Sequence, residues 1–146
     1  MPSIFKLLKE DHDKHREMLT GIADADPADR GDLFEKFQAE AVSHANAEEQ
    51  SLYAEMMAKP DLQDEARHSV SEHKQIDEYV ATLESLDPAS DDWLATFLKL
   101  KHRYEHHIEE EEDEMFPEAK DALSQDKIQE LGDKFADRKP AEKEAA

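Results

Sequence analysis

HANAEEQSLY, His44 to Tyr53, and HIEEEEDEMFP, His107 to Pro117, are two copies of one stretch. Laid over each other, His44 falls on His107, Glu48 on Glu111, Glu49 on Glu112, Leu52 on Met115 and Tyr53 on Phe116. Each copy contains His-x-x-x-Glu. On a helix, residues four apart sit one above the other, so each pair turns an imidazole and a carboxylate toward one point. A single such pair means little in a chain with eight histidines and 38 acidic residues. Two copies, each closed by the same aliphatic-aromatic step, mean much more. Facing the interior of a helical bundle, they form a metal-ligand arrangement.

The rest of the composition agrees with helices. Ala, Leu, Glu, Lys and Gln dominate, while there are only three glycines and few β-branched residues. At 146 residues the chain has the size of one domain. The absence of cysteine excludes disulfides, thiolate zinc sites and cysteine-ligated iron–sulfur clusters. No apolar run approaches membrane-spanning length and the N-terminal stretch is charged throughout, so the expectation is a cytoplasmic protein without membrane or nucleic-acid partners. The net charge of −20 supports that exclusion. It serves solubility first and attraction of cations second.

Outward from the two copies, the chain divides into helices separated by turn residues. Ser3 caps a first helix to about Ala23, with Ile4, Leu8, Leu19 and Ile22 on one side together with His12 and His15. After a turn at Asp24 to Gly31, Asp32 and Glu35 form a capping box for a second helix. Its stripe is Leu33, Phe37, Ala41, His44, Glu48, Leu52 and Met56, and it ends at Lys59-Pro60. A third runs from about Asp61 to Leu86, with Ala66, Val70, His73, Asp77 and Val80 inward. Ser90 caps a fourth, whose stripe is Trp93, Phe97, Leu100, Tyr104, His107, Ile108, Glu111 and Met115; Pro117 kinks or stops it. Ser124 caps a short fifth helix carrying Ile128, Leu131 and Phe135. Residues 1–136 are then one domain, and 137–146 a flexible tail.

The repeat extends beyond the two motifs, because Asp11-His12 matches Glu72-His73, Leu19 matches Val80 and Ile22 matches Leu83. The expected architecture is all-α: an antiparallel up-down four-helix bundle made of two hairpins with approximate two-fold symmetry, plus a short C-terminal fifth helix. Its core face carries His12, His44, His73, His107, Glu48 and Glu111. Two buried carboxylates side by side are costly without compensation, and a pair of cations supplies it. A mixed imidazole and carboxylate shell suits iron or manganese, with zinc as a further option. Symmetry assigns His12 and His44 to one ion, His73 and His107 to the other, and Glu48 and Glu111 as bridges. His15 and Asp77 are additional candidates on the same faces. Tyr104 reads as a core aromatic whose hydroxyl is satisfied locally, or as a hydrogen-bond donor beside the metals. The run from Glu109 to Glu114 reads as a solvated face with only Glu111 turned inward, and His68, His102 and His106 as exposed.

Asp11-His12, His44-x-x-x-Glu48, Glu72-His73 and His107-x-x-x-Glu111, with Tyr53 and Phe116-Pro117 closing the motifs, resemble the hemerythrin-like, HHE cation-binding domains over roughly Ile4 to Gly132. The resemblance implies a four-helix bundle holding two iron ions bridged by two carboxylates. It also implies binding of a small oxidant such as oxygen, peroxide or nitric oxide, in sensing, detoxification or protection. The alternatives it carries are an iron-sensing or storage module without turnover, and an iron-centre repair protein. The chain departs from the oxygen-carrying members, which have a further histidine where Asp77 stands and His-x-x-x-x-Asp where His107-x-x-x-Glu111 stands. The cysteine-bearing segment usual in repair proteins is absent.

Overall fold

The computed structural model describes the backbone of residues 3–145 and the side chains of 3–139. Five long helical elements follow one another. Helix α1 is Ile4–Asp24, begun by Ser3, whose hydroxyl accepts from the Lys6 N–H. A 3-10 turn at Pro27–Asp29 leads into α2, Arg30–Glu48, which passes through a π-helical turn at Glu49–Tyr53 into Ala54–Met57. Helix α3 is Gln63–Glu84. Helix α4 is Asp91–Glu110, capped by Ser90 on the Trp93 N–H, and it too passes through a π-helical turn, Glu111–Met115, into Phe116–Ala122. Helix α5 is Gln125–Ala145.

The bundle matches the expected class, with three corrections at its edges. The expected capping box at Asp32 is not used: α2 begins at Arg30, with Asp29 at its N-cap position making no side-chain cap bond. Of the kink or stop expected at Pro117, the stop does not occur: the helical path runs on through Phe116–Ala122. A proline ring collides with the carbonyl four residues back, and here that carbonyl lies in the wider π turn. The first copy makes the same turn with Ala54 at the equivalent position, so the proline is not its cause. Finally, the fifth helix is long rather than short. It continues through Asp137, where a flexible tail was expected, and Lys139 is anchored by ion pairs to Asp11 at 2.8 Å and Glu40 at 3.4 Å. Ala146 lies outside the described residues.

Around the bundle α1 packs on α2 and α4, α4 packs on α3, and α5 lies along α1 and α2. The seam between α2 and α3 is less closely packed. The apolar core falls into two halves. One contains Ile4, Leu8, Leu52, Met56, Phe116 and the α5 residues Ile128, Leu131 and Phe135. The other contains Leu19, Ile22, Phe34, Phe37, Trp93, Phe97 and Leu100, with Trp93 and Phe97 stacked at 5.2 Å. Between them lies a layer of buried polar groups: His12, His15, His44, Glu48, His107 and Glu111. The expected inward face of α3 is rotated. Ala66, Ser69, Glu72, Ile76 and Leu83 are buried, whereas Val70 and Asp77 are exposed and His73 is partly covered. Among the described residues no helix is long and apolar enough to cross a membrane.

Candidate metal centre

Both π turns begin at or one residue beyond the glutamates of the two motifs, at Glu49 and Glu111. In a π turn the hydrogen bond spans five residues instead of four. Glu48 and Tyr53, five apart, are thereby both buried, as are Glu111 and Phe116. The aliphatic-aromatic step that closes each motif in the sequence is the residue pair that this wider turn brings inward.

The structure gathers the six residues in two groups. Ligand atoms of His12, His44 and Glu48 lie within 4.8 Å of one another, and so do those of His73, His107 and Glu111. His107 Nε2 is 2.7 Å from Glu111 Oε1, and His73 Nε2 is 3.0 Å from His107 Nε2. His44 Nε2 and His73 Nε2 lie 3.6 and 3.7 Å from Glu48 Oε1, so Glu48 spans the two groups. The Tyr53 hydroxyl donates to Glu111 Oε1 at 3.0 Å.

Each of the four imidazoles is held from behind by a carboxylate on its Nδ1. Asp11 of α1 holds His44 of α2 at 2.9 Å, and Glu49 of α2 holds His73 of α3 at 3.1 Å. Glu72 of α3 holds His107 of α4 at 2.9 Å, and Glu112 of α4 holds His12 of α1 at 2.7 Å. These braces run around the bundle and close on themselves. A carboxylate on Nδ1 fixes the ring so that Nε2 points inward as a lone-pair donor, and it raises the basicity of that nitrogen. The sequence reading assigned these four acids no role. Their signal was available: each stands directly beside a candidate ligand, as Asp11-His12, Glu48-Glu49, Glu72-His73 and Glu111-Glu112. It was masked because each acid serves a histidine on another helix rather than its neighbour. Glu112 also corrects the solvated-face reading of Glu109 to Glu114. It is largely covered and takes two bonds from Arg16, at 3.0 and 3.1 Å, besides that with His12.

The two weaker candidates lie apart from these groups. His15 is fully buried, its Nδ1 2.7 Å from the Tyr104 hydroxyl and its ring edge-on to His44 at 5.1 Å. Tyr104 thus has its hydroxyl satisfied by His15. Asp77 lies at the mouth of a cavity of about 40 Å³ in the α2–α3 seam. Ala41, Ile76, Val80 and Ile108 form its apolar walls, and His44, His73, His107 and Tyr104 also line it. His68, His102 and His106 are exposed, as expected.

Atoms at the centre fit cations. Among the described residues of the polar layer, His12 Nε2, His15 Nε2, both oxygens of Glu48 and Glu111 Oε2 are buried without a hydrogen-bond partner. Groups so placed cost free energy unless something binds them. Burial, and then the neighbouring Glu111, push Glu48 well above the usual carboxylate range. Glu111 is held well below it: burial works in the opposite direction, but His107, the hydrogen bond with Glu48 and the attraction of His12 together outweigh it. Burial also lowers His107, yet Glu111 and Glu72 together lift it to about 9. His15 and His44 go the other way, driven chiefly by burial, to about 3 and about 4.

These shifts set an expected pH profile for the metal-free protein. His15 and His44 are depressed, so the unfolded chain takes up their two protons first and stability falls as pH drops from about 6.5 toward 5. Glu48 is raised and opposes them. His107 is raised, so its contribution is complete below about 6.5 and is lost as pH climbs toward 9, in the same direction as the loss from Glu48. Maximum stability is expected between about pH 6 and 7, with a slope on either side set by about 1.4 kcal/mol per pH unit per proton. Urea unfolding of chelated protein at pH 5, 6 and 8.5 measures it. Stability that rises steadily to pH 8.5 contradicts this charge assignment.

A family model for the hemerythrin HHE cation binding domain matches residues 3–119, and the chain belongs to that family. It is a cation-binding helical bundle. The fold is similar to the crystal structure of a hemerythrin HHE cation binding domain-containing protein from Mycobacterium kansasii, with a TM-score of 0.86 and 24% identity over 99% of this chain and 90% of that one. Comparison with curated proteins gave no match.

Proposed function

We propose that the chain is a cytoplasmic di-iron protein. His12 and His44 hold one ion, His73 and His107 the other, and Glu48 and Glu111 bridge them. A small oxidant (oxygen, peroxide or nitric oxide) reaches this centre, in the service of sensing, detoxification or protection. The observation that carries this reading is the buried layer of imidazole nitrogens and carboxylate oxygens left without hydrogen-bond partners between two apolar half-cores. When bound, the ions supply the redox change and the exchangeable coordination positions that such ligands need. Manganese suits the same donors, and zinc fits them without redox chemistry.

The protein's own residues do the rest. The four carboxylate braces keep each Nε2 turned inward. The Tyr53 hydroxyl donates to Glu111 Oε1 and fixes the orientation of that carboxylate. The seam cavity offers an apolar path of small bore to His44, His73 and His107, favouring small neutral molecules over ions. By the register of the repeat, Ala41, Ile76 and Val80 of this cavity answer to Tyr104, His15 and Leu19 in the other half. There the larger groups fill the space, so access is expected from one side only.

Metal analysis and the optical spectrum of protein purified in air test the reading. About two irons per chain with near-ultraviolet bands that change on adding peroxide or nitric oxide are expected. One zinc, or iron indifferent to every oxidant, argues instead for a binding or storage module. Ile76→Trp, which plugs the seam, is expected to slow the spectral response at least about tenfold while iron content stays the same. An unchanged rate places the entry route elsewhere.

A further inference from the structure

Outside the buried layer, His-x-x-x-Glu occurs twice more on facing helices, as His68-x-x-x-Glu72 on α3 and His106-x-x-x-Glu110 on α4. The two pairs meet. His68 Nε2 lies 3.3 Å from Glu110 Oε2 and 3.5 Å from Glu72 Oε1, and His106 Nε2 lies 3.0 Å from Glu110 Oε1. Ligand atoms of His68, Glu72 and Glu110 all fall within 4.8 Å of one another. Donors bound at 2.0–2.2 Å to one tetrahedral ion stand about 3.3–3.5 Å apart. The two His68 distances match that spacing.

The repeat shows what this place lacks. Glu72 is the counterpart of Asp11, and each braces the imidazole of the following helix. Behind Asp11 stands Lys139, at 2.8 Å, and behind Glu112 stands Arg16, at 3.0 Å. Glu72 is just as buried, but its nearest fixed cation is Arg103, 3.8 Å from Oε2. Its Oε1 faces His107 on one side and His68 on the other. The half-covered carboxylate of Glu110 adds a second negative group to the same spot. Two carboxylates and one imidazole from adjacent helices, with a second imidazole behind Glu110 and no ammonium or guanidinium closer than Arg103 among the described residues, are a donor set for a borderline cation. A chain of net charge −20 attracts one.

We propose that His68, Glu72 and Glu110, with His106 on the far oxygen of Glu110, bind one divalent transition-metal ion of the zinc or cobalt class at the surface. Glu72 links this outer ion to the buried layer, since the oxygen that meets it also holds His107 at 2.9 Å. The outer site does not depend on the identity of the buried ions.

Cobalt(II) is the probe. It is titrated into the metal-loaded protein and into the His68→Ala and His68→Ala/His106→Ala variants, with bound cobalt and iron measured after dialysis and helicity checked by circular dichroism. Both histidines are exposed, so folding is expected to be unaffected. The expected result is one cobalt per chain in the parent and its loss in the double variant, with equal iron in both. Equal cobalt in parent and variants, or no cobalt retained by the parent, overturns the site. Iron measured in the same samples reports the buried centre separately, so failure of one site is not mistaken for failure of the other.

Discussion

Replacing Glu48 or Glu111 with alanine is expected to leave the purified protein almost without iron, whereas His15→Ala keeps it. Glu48 is fully buried and reaches toward both histidine groups, 3.6 Å from His44 Nε2 and 3.7 Å from His73 Nε2. On the proposed arrangement, removing it would take away the charge that two cations share and leave their mutual repulsion uncompensated. The loss should exceed the roughly 10- to 100-fold that removal of an outer hydrogen-bond partner costs. Glu111 is equivalent by the repeat and holds His107 Nε2 at 2.7 Å. His15 is different. Its Nδ1 is taken by Tyr104, and although its Nε2 is buried without a partner, it stands outside both groups of converging ligand atoms. Iron per chain by metal analysis decides the matter, and equal retention in all three variants sinks the bridging assignment. Because the two glutamates crowd each other when no ion is bound, Glu48→Ala should also make the metal-free protein no less stable than the parent.

Phe135→Ala is expected to destabilise the metal-free protein by about 3–5 kcal/mol, a large part of what a domain of this size has. Phe135 is buried at 2% exposure among Ile4, Leu8 and Leu131, and its ring meets His44 edge-on at 5.6 Å. Truncation opens a cavity beside that imidazole and loosens α5 from α1 and α2. Lys139 is carried on the same helix, so the ion pair behind Asp11 is weakened too. Iron binding is therefore expected to weaken along with stability, through loss of the fixed orientation of His44. Urea unfolding with and without chelator measures both. A change below about 1 kcal/mol means that α5 contributes little to the core, contrary to its buried face.

Much of this molecule was legible in the chain. The apolar stripe of α4, from Trp93 to Met115, is buried residue for residue, because 3.6-residue periodicity alone sets which side faces inward. Ser3, Ser90 and Ser124 each cap through their hydroxyls, on the N–H groups of Lys6, Trp93 and Lys127. Helix α3 was harder. Its face was read through Val70 and Asp77, but Ser69, Glu72 and Ile76 are buried instead. A helix rich in polar residues has no dominant stripe, so the packing of its neighbours chooses the rotation. The C-terminal helix reads as short because its last large apolar residue is Phe135. What extends it are charged contacts from Lys139 to Asp11 and Glu40, residues more than ninety positions away in the chain.

The sequence by itself determined the two hairpins, the family and the six residues that meet at the centre, because each follows from local spacing repeated twice. Tertiary structure alone decided which acid braces which histidine. Asp11 passes over His12 to reach His44, and Glu112 crosses from α4 to α1. It also decided that the α2–α3 side of the layer opens into a cavity, where Ala41 and Ile76 stand at the positions that Tyr104 and His15 hold in the repeat. The reason is physical: spacing along a helix fixes the direction in which a side chain leaves its own axis. What it then meets depends on the distance and rotation of the neighbouring helix, which the packing of the whole core sets.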